Sequence, residues 1–242
     1  MLKVLAIGNS FSQDATAMLE NLGEGLYVRN LYIGGCSLMT HAKNAVNGDR
    51  AYDYEMLGSR IYKTTIKEAL MQREWDVITL QQVSGDSGIE DTFYPYITEL
   101  IALIRQIRPN AEIRLHRTWA YEFGSTHPRF ADYGCDRDRM WQNIYDTYNA
   151  IGKREGLKII PAGDFIQYLR TVPEFNKIKG GLDTCRDGFH IAHGFGRYAL
   201  ALTWWWSLTG QIPTKVPSNV PTELADKVRG AFERFIEEYR EA

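Results

Sequence analysis

The sequence predicts a three-layer α/β/α sandwich built on a central, mostly parallel five-stranded sheet. Two observations carry this. Short apolar runs with strand character alternate with amphipathic segments of helical spacing, and strands in that arrangement are parallel and covered on both faces. Right-handed crossovers between such strands place helices on both sides. A third observation bounds the answer: 242 residues with no internal repeat, low-complexity tract or linker fit one domain spanning 1–242.

In order, Lys3 to Ile7 reads as a short buried strand, followed by a turn and an amphipathic helix over Gln13 to Leu22. A second strand, Leu26 to Ile33, ends at Gly34-Gly35, and Leu38 to Val46 is helical. Asn47-Gly48-Asp49 is a break. Arg60 to Gln72 returns to helical spacing, with Ile61, Ile66, Ala69 and Leu70 to one side. Trp75 to Gln82 holds the clearest strand, Val77-Ile78-Thr79-Leu80. Phe93 to Ile107 is a helix stopped by Pro109, and Glu112 to His116 is the fourth strand. A polar loop over Glu122 to Asp136 precedes a long helix, Arg137 to Gly156, and a fifth strand, Leu157 to Ile160. A short helix at Asp164 to Thr171, an irregular stretch to Phe189, an apolar helix over Gly194 to Thr209 and an amphipathic helix over Pro221 to Arg240 complete the chain.

Composition narrows function. A formal charge of −2 supplies no basic field for nucleic acid or an anionic membrane. Cys36, Cys135 and Cys185 are too few and too scattered for a disulfide framework or a zinc site, which suits a reducing compartment. Gly8-Asn9-Ser10 interrupts the first apolar run before it reaches signal-peptide length, so the sequence as written predicts a cytoplasmic protein.

In sheets of this kind ligands bind at the carboxyl ends of the strands. Ser10, in Gly8-Asn9-Ser10-Phe11-Ser12, sits there between strand and helix. Its hydroxyl suits attack on a carbonyl, with backbone N–H groups nearby for the oxyanion. The competing reading is a helix cap, because Ser10 and Gln13 fit an S-x-x-Q capping box. Asp187-Gly188-Phe189-His190 places an acid three residues before a histidine, the spacing that lets a carboxylate fix an imidazole's tautomer. The same segment continues to His193, so Asp187, His190 and His193 also spell a possible metal set. Gly34-Gly35-Cys36-Ser37 offers a close backbone approach, and Gln81-Gln82 ends the third strand with uncharged amides. Alternation along a strand points only one of the two glutamines towards Ser10.

In combination, GNSFS, the glycine-containing second loop, the glutamine pair and DGFH resemble the SGNH (GDSL-like) serine esterase family over roughly Lys3 to Trp206. They are most similar to a largely uncharacterised bacterial subgroup. The resemblance implies a flavodoxin-like SGNH hydrolase fold, a catalytic triad of Ser10, Asp187 and His190, and an oxyanion hole from Ser10, Gly35 and a third-block side chain. The usual third-block Asn would fall at Gly85, which has no side chain, so the donor passes to Gln82, with Gln81 second.

Gln81, His41, Trp119 and Tyr121 are further candidates for substrate contact, the two aromatics by stacking on a sugar ring, and His116 and Arg117 lie at the same strand end. Asp14 shares the Ser10 face of its helix and either orients the Ser10 loop or complements the helix dipole. The implied activity is a cofactor-free, metal-free hydrolysis of a small-molecule ester, such as an acetylated sugar, through an acyl-enzyme. A metal-dependent hydrolase and a non-catalytic carbohydrate-binding module on the same fold are the alternatives.

Overall fold

The computed structural model describes residues 1–241 and contains a seven-stranded sheet flanked by helices. The five expected strands are all present: β1 (Leu2–Gly8), β2 (Leu26–Tyr32), β5 (Val77–Leu80), β6 (Glu112–His116) and β7 (Lys158–Ile160). All are parallel to their neighbours among these five. The helices are α1 (Ser10–Thr16), α2 (Leu38–Asn47), α3 (Ile66–Met71), α4 (Tyr96–Ile107), α5 (Arg137–Glu155), α6 (Ala162–Leu169), α7 (Phe195–Thr209) and α8 (Thr222–Glu241). Among them α2, α3 and α4 contact one another, while α1, α6 and α8 gather round α7. No helix among the described residues is long and apolar enough to cross a membrane.

The count of seven corrects the expected five. The additional pair is an antiparallel hairpin, β3 (Tyr52–Met56) and β4 (Ser59–Thr64), on the outer edge of β2. It takes the first part of the expected Arg60 to Gln72 helix, of which only α3 remains, started at Thr65 by a capping box with Glu68. Helical spacing misleads here because β4 is an exposed edge strand with no buried face to impose alternation. Its turn is equally hard to read: Leu57 (φ 53°) and Gly58 (φ 72°) form a two-residue loop with both residues left-handed, without the usual Asn-Gly or Asp-Gly signature.

The strand order β4-β3-β2-β1-β5-β6-β7 reverses direction at β1. The chain moves outward through β2 and the hairpin, then returns to β5 on the other side of β1. The loops after β1, β2 and β5 therefore diverge around one crevice, the place where open α/β sheets bind ligands.

Leu57, bulky though not branched at Cβ, costs on the order of 1 kcal/mol in the left-handed region. Leu57 sits at the tip of the hairpin and is 37% exposed, so Asn there gives up only part of a leucine's burial. Leu57→Asn is expected to stabilise the protein by about 0.5–1 kcal/mol, and a thermal unfolding comparison that gives a lower midpoint for the variant refutes this account of the turn.

Candidate active site

The first half of the site is the turn from β1 into α1. Gly8 admits no side chain, because a Cβ there would lie 2.6 Å from Ser12 Oγ and 2.9 Å from Gln81 Cδ. Asn9, in extended backbone, is the cap of α1, and its Oδ1 accepts from the Phe11 N–H at 3.0 Å. Ser10 is thus the first helical residue and not the cap, and the capping-box reading is overturned. Gln13 turns away and donates to Glu55 Oε1 at 2.6 Å. Ser10 Oγ is left to meet His190 Nε2 at 2.8 Å.

Beneath this turn, Ser12 Oγ lies 2.9 Å from the Asn9 carbonyl and 2.7 Å from Asn30 Oδ1, and Asn30 Nδ2 donates to Glu55 Oε2 at 2.8 Å. Burial pushes the Glu55 carboxyl up, against the pull of the hydrogen bonds from Asn30 and Gln13. The hairpin absent from the sequence reading therefore supplies a brace under the Ser10 turn.

The second half is a narrow hairpin-like loop. Ala192 N–H donates to Thr184 O at 2.8 Å, Cys185 and Ile191 form a bridge, and Arg186 N–H donates to His190 O at 2.9 Å. Gly188 takes the tight turn at φ 87°. This geometry folds Asp187 back on His190: Oδ2 lies 2.7 Å from Nδ1, and Oδ1 accepts from the His190 and Phe189 N–H groups at 2.8 and 3.2 Å. Partial burial raises the Asp187 carboxyl, but the bonds from the His190 ring and the two N–H groups outweigh it and hold the group below its usual range. An ionised Asp187 only accepts, so Nδ1 of His190 carries the proton and Nε2 presents its lone pair to Ser10.

Three ties hold the halves in register. Asp14 of α1 is fully buried and accepts from Arg186 Nη1 at 2.9 Å and from Arg197 of α7 at 2.7 and 2.8 Å. Asp14, expected to orient the Ser10 loop or to complement the helix dipole, instead ties α1 by ion pairs to Arg186, in the loop carrying Asp187, and to Arg197 of α7. Trp119 stacks on Phe11 with ring centroids 4.0 Å apart and donates from Nε1 to Phe189 O at 2.8 Å. Finally, Glu122 N–H donates to Gly188 O at 2.7 Å, while its buried carboxylate meets Arg137 at 2.9 Å, Arg170 at 3.1 Å and Thr184 Oγ1 at 2.9 Å. Burial raises the Glu122 carboxyl, but Arg170 foremost, then the Phe123 N–H, Arg137 and Thr184, bring it below its usual range.

The remaining expected residues fare differently. Gln82 is corrected. Its Oε1 accepts from Leu38 and Val83 N–H, both at 2.9 Å, and its Nε2 donates to Thr92 O and Oγ1 at 3.0 and 3.2 Å. Both amide hydrogens are engaged away from Ser10. Gln81 is the glutamine that faces the Ser10 turn, donating to Asn9 Oδ1 at 2.8 Å. Gly85 has no room for the usual Asn, since a Cβ would lie 2.7 Å from Arg129 Cβ. Gly35 is exposed at φ 61°, and among the described residues its N–H and that of Ser10 make no hydrogen bond.

His41, Trp119 and Tyr121 are all fully buried, which removes them as substrate contacts. His41 bonds Tyr52 OH at 2.9 Å, and burial lowers its pKa to about 3. Tyr121 bonds Ser84 Oγ at 2.9 Å. The Cys36 thiol is pushed up to about 12 by burial, which makes it a poor nucleophile. The metal reading of Asp187, His190 and His193 is also corrected. Both ring nitrogens of His190 are engaged, and among the described residues no three His, Cys, Asp or Glu side chains are grouped to hold an ion.

Asn9, Arg186, Arg197 and Glu122 escaped the sequence reading. Only Asn9 carried a local signal, asparagine being among the strongest helix caps.

The sequence matches DUF4886, a domain of unknown function, over residues 3–230. This chain belongs to the DUF4886 family. A DUF4886 protein of Bacteroides uniformis is 35% identical, with a TM-score of 0.88 over 97% of this chain and 94% of that one. A proposed SGNH hydrolase from Slackia heliotrinireducens is 18% identical, with a TM-score of 0.60 over 86% and 98%. An acetyl xylan esterase, AlAXEase, is 14% identical, with a TM-score of 0.57 over 86% and 100%. At those identities the last two establish a shared fold. No curated protein matches the sequence.

For this DUF4886 chain the sign of the Glu122 effect fixes an acid response. A carboxyl held low in the folded state contributes stability above its unfolded pKa of about 4.3, and that contribution is lost as pH falls towards the folded value. Glu122→Gln leaves Arg137 and Arg170 short of a counter-charge and is expected to cost about 3 kcal/mol at pH 7. Urea unfolding at pH 7 and pH 3.5 should show the deficit shrinking at the lower pH; a deficit that grows contradicts the assignment.

Proposed function

We propose that this protein is a serine esterase that removes a small acyl group, such as acetyl, from a carbohydrate or similarly polar alcohol. One observation carries the reading: Ser10 Oγ, His190 and Asp187 form a continuous line of 2.8 and 2.7 Å contacts, with the imidazole tautomer set by an ionised carboxylate. The shared fold with an acetyl xylan esterase and the near-neutral charge support a neutral acyl-sugar substrate.

In this mechanism His190 Nε2 takes the Ser10 proton as Oγ attacks the acyl carbonyl. Asp187 stabilises the resulting imidazolium. The unengaged N–H groups of Ser10 and Gly35 are the donors for the oxyanion. His190 then protonates the leaving alkoxide, an acyl-Ser10 remains, and a water activated by the same nitrogen releases the acid. The side chain of Asp187 is 41% exposed, so fixing the ring's tautomer and orientation is a larger part of its role than a buried charge would give.

The test is hydrolysis of p-nitrophenyl acetate together with labelling by a fluorophosphonate. Ser10→Ala should lose about 10³-fold or more in kcat and all labelling, and Asp187→Asn about 10²–10⁴-fold with KM little changed. Turnover surviving in Ser10→Ala refutes the serine mechanism. A folded wild-type protein that binds sugars but neither labels nor turns over esters favours the binding-module reading.

A further inference from the structure

Across the carboxyl edge of the sheet, the ends of four adjacent strands are joined by one chain of side-chain hydrogen bonds. His116 ends β6, Gln81 follows β5, Asn9 follows β1, and Cys36 lies in the loop after β2. His116 Nδ1 is 2.7 Å from Gln81 Oε1, Gln81 Nε2 is 2.8 Å from Asn9 Oδ1, and Asn9 Nδ2 is 3.0 Å from Cys36 O. His116, Gln81 and Asn9 are each 1% exposed, so none of these bonds has a solvent alternative.

The direction of the chain follows from its backbone ends. The Phe11 N–H is a donor only, so the Asn9 atom that meets it is the oxygen. The Cys36 carbonyl is an acceptor only, so the Asn9 atom that meets it is the NH₂. The Gln81 atom on Asn9 Oδ1 must then be its NH₂, its oxygen must face His116, and the His116 Nδ1 must carry a hydrogen. Burial keeps this ring neutral, with a pKa lowered to about 3. Its other nitrogen, Nε2, is buried without a hydrogen-bond partner among the described residues, so nothing there competes for the proton.

The two loops so joined carry the two unengaged N–H groups. Cys36 is pinned on both sides, its N–H on Ile33 O at 3.2 Å and its carbonyl on Asn9, which fixes the turn through Gly35. Asn9 likewise fixes the first turn of α1 and with it the Ser10 N–H. We infer that Gln81 is a positioning residue: Phe11 and Cys36 fix the polarity of Asn9, and Gln81, held from behind by His116, locks Asn9 in place and so aligns the Ser10 and Gly35 N–H groups on a common point. This rests on the esterase reading for its catalytic consequence, but the polarity of the relay does not.

The experiment uses the full chain with ¹⁵N-labelled histidine, the His116 signals being identified by their loss in His116→Asn. The wild type should show His116 as the Nδ1–H tautomer, and Gln81→Leu, which removes the acceptor, should release it to Nε2–H. On p-nitrophenyl acetate Gln81→Leu should lose about 30-fold or more in kcat with KM within about twofold, the signature of misaligned oxyanion donors. Asn9→Asp is the second variant: it keeps the cap and the bond from Gln81 but replaces the donor to Cys36 with an acceptor, and, once thermal unfolding shows it folded, it should lower kcat in the same way. A wild-type Nε2–H tautomer, or full kcat in either folded variant, overturns the inference. If the wild type neither labels with fluorophosphonate nor cleaves esters, the esterase reading fails, and the tautomer result still decides the relay.

Discussion

The arrangement depends on the carboxamide of Asn9. One side chain satisfies an otherwise free N–H at the start of α1, receives Gln81 and holds the Cys36 carbonyl. Because the cap is supplied one residue earlier, the hydroxyl of Ser10 has no structural duty and is left to His190. Had Ser10 capped the helix, its oxygen would have been turned inward on the backbone and its contact with the imidazole lost. The asparagine makes the serine available.

Burying charge so close to the site requires compensation. Asp14 and Glu122 have no solvent exposure at their side chains, and each is matched by two arginines. Removing a single partner from such a cluster costs more than the intact pair contributes, because the remaining charge stays buried. That asymmetry serves geometry. The Asp187–His190 loop is anchored to α1 and α7 through Asp14 and to α5 and α6 through Glu122, so the separation of Ser10 and His190 is set by rigid elements.

Much of this was legible in the residues. Alternating apolar runs predict the five parallel strands, and a serine at the end of the first strand followed in chain order by Asp187 and His190 in a late loop anticipates their meeting. Long-range choices were not legible. Whether Gln81 or Gln82 turns inward depends on where strand β5 ends relative to its neighbours, and the winner is recognised only by its contact with Asn9. Trp119 and Tyr121 look like substrate platforms because loop aromatics often are, yet Trp119 is consumed in packing Phe11 against the Asp187 loop, and Tyr121 in bonding Ser84 and packing on Phe130 and Phe189. The β3–β4 hairpin escaped because its turn lacks Asn or Asp and its outer strand faces water.

That hairpin has a dynamic consequence. Glu55 on β3 joins Asn30 of β2 and Gln13 of α1, and through Asn30 it reaches Ser12 and the Asn9 carbonyl. An edge hairpin would ordinarily open on its own, at low free energy, without disturbing the centre of a sheet. Here its detachment removes the carboxylate that orders the residues behind Ser10. The edge of the sheet and the turn at its centre, some forty residues apart in sequence, are thereby linked, and amide exchange is expected to find them protected and exposed together.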